Sequence, residues 1–136
     1  MKIVLSSTAA ALALSLLASP TMAYPAKEAD LQLTTSYAIA TAGQKNRKGA
    51  EAFCREATSK LTPDEARGYL AAYVERCFAA VAEASDDKPV ACKRYGKAIE
   101  IWDKTPPPND HPQSVASRNQ LRTSMQRYIT TNCPAK

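Results

Sequence analysis

Histidine occurs once in this sequence, at position 111, and glycine only four times. No Cys-x-x-Cys pair, His-Glu-x-x-His, Gly-x-Ser-x-Gly, phosphate-binding glycine loop or haem-attachment motif is present. Structural zinc, metal-assisted hydrolysis, serine-hydrolase chemistry and nucleotide-driven chemistry therefore lack their sequence signatures. No stretch alternates apolar and polar residues with a period of two over any length, which excludes a sheet-based core. Asn46, Asn109, Asn119 and Asn132 all lack a Ser or Thr two residues on, so no N-glycosylation acceptor exists. Beyond the first twenty residues no apolar run is long enough to span a bilayer.

What the chain does contain begins with a leader. Met1-Lys2 forms a short positive start, 3–18 is apolar, Pro20 ends the run, and Thr21-Met22-Ala23 supplies small residues before a cut. This grammar predicts a secretory signal peptide over 1–23 and a single mature domain over 24–136. Its removal takes one lysine and no acid, so the net charge falls from +5 to +4 over about 113 residues. A balance that mild gives no argument for nucleic acid, but it leaves room for an acidic protein partner.

Four cysteines remain, Cys54, Cys77, Cys92 and Cys133, and an even number in a small exported domain reads as two disulfides. With no glycosylation site, this favours a Gram-negative periplasm over a eukaryotic secretory route.

The chain is organised around 61–84. Thr62, Pro63 and Glu65 make a capping box, and Ala66, Leu70, Tyr73, Val74, Cys77, Phe78 and Val81 recur at helical spacing. The pattern predicts one continuous helix of about six turns. A helix over about 27–42 is expected before it, ended by Gly43, with apolar residues on more than one side: Leu33, Tyr37 and Ala40 on one face, Leu31 and Ala38 elsewhere. Thr34-Thr35-Ser36 weakens that reading. A helix over about 49–60 follows, with Ala50, Phe53, Cys54 and Ala57 inward.

Asp86 or Asp87 caps a fourth helix carrying Cys92, Tyr95, Gly96, Ile99 and Trp102 on one face, with Gly96 expected where a neighbouring helix comes close. Pro106-Pro107-Pro108 stops it. A last helix over about 113–131 turns Leu121, Met125, Tyr128 and Ile129 inward. The fold class is all-α, a small bundle of four to five helices stapled by two disulfides. Cys77 and Cys92 lie at similar distances from the turn at Ser85, which favours pairing them and joining Cys54 to Cys133. The competing pairing, Cys54 with Cys77 and Cys92 with Cys133, puts its first pair out of height by about seven residues, or 10 Å.

The surface loop histidine is read as having no catalytic duty, the cysteines as spent on bridges, and the carboxylate pairs Asp64/Glu65 and Asp86/Asp87 as caps. No enzyme activity, cofactor or metal is expected. Two features could dock a partner. The proline loop presents Asn109, Asp110 and His111 at its tip, and its stiffness limits the entropy lost on binding. From His111 onward the chain carries Arg118, Arg122, Arg127 and Lys136 and no acid, with Arg118 and Arg122 one helical turn apart. The plainer reading of those arginines is a solvated face whose stems cover the core.

Two resemblances attach to these residues. Over 72–105, Phe78, Ala79, Ala82, Ala91, Tyr95 and Ala98, with Asp86-Asp87 at the turn, resemble one tetratricopeptide repeat; a single repeat cannot bury its own faces, so the likeness is one of hairpin packing. Phe53-Cys54, Gly68-Tyr69-Leu70, Cys92, His111-Pro112 and Cys133-Pro134 are similar to the Rap and Tai types of periplasmic amidase-immunity protein of type VI secretion, departing from them in lacking a Leu-Pro after Cys92. That resemblance implies a stoichiometric inhibitor that plugs the active site of an effector enzyme or cell-wall hydrolase. The alternative is an envelope adaptor or chaperone-like helical module. A homodimer is compatible with either.

Overall fold

A computed structural model of the chain describes residues 24–107 and 110–135. The expected signal peptide and Asn109 lie outside the described residues. Six helices and no strand occur among those described: α1 (Tyr24–Gly43), α2 (Arg47–Ser59), the single turn α3 (Pro63–Ala66), α4 (Ala71–Ala84), α5 (Lys88–Lys104) and α6 (Pro112–Asn132). The all-α bundle with two disulfides is what forms. No described helix is long and apolar enough to cross a membrane.

Local chemistry sets most boundaries. In α1 the hydroxyls of Thr34, Thr35, Ser36 and Thr41 each donate to the carbonyl four residues earlier, at 2.9–3.1 Å. The residues that weaken a helix on paper are thereby satisfied within it, and Thr35 can be buried. The left-handed residue after α1 is Lys45, with φ 61°, and not Gly43. Asn46 then caps α2 by accepting from the Gly49 N–H at 2.9 Å. A Cβ at Gly49 would come within 3 Å of the Asn46 side-chain amide, so a larger residue there would make that amide shift.

Between α4 and α5, Asp86 takes the left-handed conformation (φ 57°) and Asp87 caps α5 through the Val90 N–H. The Asp87 carboxylate also meets the Arg47 guanidinium at 2.8 Å, tying the start of α5 to the start of α2. That hydrogen bond, and then the Val90 N–H, hold its carboxyl below the usual range.

The expected continuous helix over 61–84 is broken. The capping box forms, with the Glu65 N–H donating to Thr62 Oγ1 at 3.2 Å and the Thr62 N–H to Glu65 Oε1 at 2.8 Å. After one turn the chain passes through tight turns at 67–70, and three-residue hydrogen bonds persist into the first turn of α4. Gly68 weakens a helix by about 1 kcal/mol against Ala. The tighter turns also send the consecutive Tyr69 and Leu70 both into the core, which a straight helix, placing neighbours 100° apart, does poorly.

The shortened α4 is the centre of the bundle and packs against α1, α2 and α5. Ala72, Ala79, Ala80 and Ala82 are all buried, and their small side chains let the neighbouring helices close in. On one side Tyr69 stacks on Trp102 at 5.4 Å and Tyr73 meets the same indole edge-on at 5.3 Å. Met125 is buried in this part of the core, with Leu121, Tyr128 and Ile129 packed against it, as the last helix was expected to present them. On the other side Ala38, Ala42, Ala50, Cys54, Cys77 and Val81 form a second, smaller core.

The disulfides are Cys54–Cys77 and Cys92–Cys133, the reverse of the favoured pairing. The break explains the first. Cys54 lies five residues before the end of α2 at Ser59 and Cys77 six residues into α4 from Ala71, so the two are level once 60–70 becomes a lateral connector. Cys77 and Cys92 do match in height, but they face opposite ways. Cys77 is fully buried toward α1 and α2, whereas Cys92 is half-buried toward α6.

Candidate functional site

The residues expected to dock a partner are dispersed by the fold. Asp110 and His111 stand exposed just ahead of α6. Arg118 is not on the surface at all: it is 6% exposed, its Nη1 lies 3.4 Å from Oε1 of Glu28 (2% exposed), and its guanidinium sits 5.2 Å from the Tyr69 ring centre. Arg122, half-exposed, is held at 2.6 Å by Asp103 of α5. The acid-free last helix thus finds carboxylates on its neighbours. The two arginines answer α1 and α5 respectively and do not form an open cationic patch. Among the described residues no group of three or more His, Cys, Asp or Glu could hold a metal ion.

Two other surfaces are left by the packing. The first lies on α1 and α2. Because α1 turns Leu31, Thr35, Ala38 and Ala42 inward, Leu33 and Tyr37, one turn apart, remain 52% and 54% exposed. The Tyr37 ring lies 6.0 Å from that of Phe53 on α2, which in turn packs on the core around Cys54–Cys77. This apolar surface is bordered by Lys60, which bridges the two helices through Asp30 at 2.9 Å and the Thr34 hydroxyl at 3.1 Å. Periodicity placed Leu33 and Tyr37 on one face. Only the packing shows that this face is the outer one.

The second surface is a groove of about 1190 Å³ along α5, walled by the α3–α4 corner and the end of α6. Gly96 lies on its floor, and a Cβ built there meets nothing within 4 Å. The expected close approach of a helix at Gly96 is therefore not made, because α4 and α6 pack on other faces of α5. The Cys92–Cys133 bridge forms part of the wall.

Polar anchors also tie neighbouring helices together. Lys27 of α1 meets Glu65 at 2.5 Å and so fixes α3 against α1. Burial alone would raise the Glu65 carboxyl, but Lys27 and the backbone and hydroxyl of Thr62 outweigh it and hold the group below its ordinary value. Tyr95 donates its phenolic hydrogen to Glu83 at 2.5 Å, and burial together with that acceptor pushes the phenol well above its ordinary value.

No protein-family model matches the chain, and neither does any curated protein or solved structure.

Proposed function

We propose that this is an exported, non-catalytic protein-binding module, most concretely an immunity-type inhibitor that blocks a toxic effector or cell-wall hydrolase by one-to-one binding. The observation that carries the binding reading is the exposed apolar surface of α1 and α2. A Leu and a Tyr side by side, each about half in water and backed by Phe53, forgo part of the 1.5–3 kcal/mol that burying each would contribute. Rigid, half-exposed aromatic groups of this kind are what central interface residues are made of. Two disulfides in so short a chain support residence in an oxidising compartment. The resemblance to amidase-immunity proteins directs the reading to an inhibitor, and the cationic chain suits an acidic partner.

The test is recovery of the tagged mature protein from its own envelope under non-reducing conditions, beside Leu33→Asp and Tyr37→Ala variants. The inhibitor reading expects one stoichiometric partner for the parent and its loss from both variants, with helical content unchanged. A spread of weak partners points instead to an envelope adaptor. A single partner retained by both variants removes the α1–α2 surface from the account.

A further inference from the structure

The groove along α5 is separate from the surface just described, and its chemistry points to a different kind of ligand. Its floor and walls include Gly96, Ala71, Ile129 and the Cys92–Cys133 bridge, while Lys93, Lys97, Lys104 and Arg67 also line it. Glu100 is the one acid among the lining residues, and Lys104 already holds it at 2.6 Å. Lys97 leans toward Glu75 at 3.4 Å and Arg67 toward Asp64 at 2.6 Å. Lys93, next to the bridge, has no ion-pair partner among the described residues. The result is a largely apolar trough whose lining carries four cations against one acid.

Its shape favours a long ligand. A volume of about 1190 Å³ exceeds the range of about 300–1,000 Å³ usual for compact small-molecule pockets. The stretch of α5 that lines it, from Cys92 to Lys104, runs about 18 Å at 1.5 Å per residue. Gly96, without a side chain, leaves the middle of that run open, and its φ is not one that only glycine adopts. Space and not backbone geometry is what glycine provides here.

We infer that this groove binds a single-chain anionic amphiphile of the fatty-acid class, with the alkyl chain laid over Gly96 and the carboxylate between Lys93 and Lys97. A ligand with one charged end and an apolar remainder matches a trough with a cationic border. Neither a cationic nor an uncharged amphiphile does.

The experiment titrates the mature, disulfide-intact protein with dodecanoate, dodecyltrimethylammonium and dodecyl maltoside by calorimetry, below their micellar concentrations, and counts bound molecules by native mass spectrometry. One dodecanoate per chain is expected, with the cationic and uncharged amphiphiles weaker by at least about tenfold. Gly96→Phe, which fills the trough, and the pair Lys93→Glu with Lys97→Glu should each weaken dodecanoate by at least about tenfold while keeping parental helical content. Absence of saturable dodecanoate binding overturns the assignment. So does equal binding of all three amphiphiles, or parental affinity in folded Gly96→Phe. None of these results bears on partner capture by Leu33 and Tyr37, so the two readings fail separately.

Discussion

Replacing Arg118 by Met should destabilise the protein more than any exposed charge change, although its ion pair is not short. Arg118 is 6% exposed, Glu28 2%, and their charged groups are 3.4 Å apart. Methionine keeps much of the aliphatic stem but removes the guanidinium over Tyr69 and leaves the carboxylate buried beside an apolar group. Breaking one half of a buried pair costs about 3–5 kcal/mol, chiefly the penalty of the charge left behind. At about 4 °C per kcal/mol for a domain of this size, the melting midpoint should fall by at least about 12 °C.

Urea unfolding followed by far-UV circular dichroism, with both disulfides intact, measures the cost directly. The double variant Glu28→Gln/Arg118→Met should recover about 1–3 kcal/mol relative to the sum of its parts, because no uncompensated charge remains. Lys104→Met, which removes a 2.6 Å pair on the open surface, should leave the midpoint within error. Burial, and not distance, ranks the two pairs. A cost below about 1 kcal/mol for Arg118→Met would place the pair in the surface class and refute the argument.

Mild thiol treatment of the native protein should open Cys92–Cys133 before Cys54–Cys77, since the first pair is half-buried at the groove and the second fully buried; alkylation and peptide mapping read the order, and earlier labelling of Cys54 would contradict it. Removing Cys54–Cys77 by paired alanines should cost about 3.5 kcal/mol from the unfolded-chain entropy of its loop, measured by urea unfolding. Gly96→Ala should stabilise by about 1 kcal/mol, because the new methyl group meets nothing within 4 Å; a loss of stability would mean that the floor of the groove is filled.

Stability should also decline at both ends of the pH scale. Glu65 and Asp87 have lowered folded values, so their contribution is present above pH about 4 and is lost as acid protonates them in the folded state. The raised Tyr95 phenol contributes fully below pH about 10 and loses that contribution as pH rises further, so Tyr95→Phe should flatten the alkaline limb of urea midpoints measured against pH.

Local signals in the sequence were reliable where the structure depends on local chemistry. Thr62 and Glu65 cap as their spacing requires, Asp87 starts α5, and the inward residues of α6 follow the helical period. What failed depended on distant neighbours. Arg118 is drawn inside by a glutamate 90 residues away, and nothing within its own helix announces that pairing. Heights along the helices, which sequence supplies, favour Cys77 with Cys92, but facing direction decides the pairing, and that follows from which helices flank α4. Leu33 and Tyr37 were legible as a face, yet whether it turns in or out depends on the Leu31–Ala38 side winning the contact with α4.

One short segment accounts for several of these outcomes together. Had 61–84 stayed a single helix, Cys77 would sit about seven residues out of level with Cys54, and the buried bridge could not close without moving backbone. Ala66, Arg67 and Gly68 would continue straight on and could not turn the corner that walls the groove. Tyr69 would not be set both under the Arg118 guanidinium and against the Trp102 ring. Gly68-Tyr69-Leu70 therefore acts as the pivot of the molecule: an inexpensive place to leave the helix, followed by two large apolar groups whose joint burial repays the lost helical hydrogen bonds. The small core gains a disulfide in register, an aromatic seat for a buried ion pair and an open trough from the same short turn.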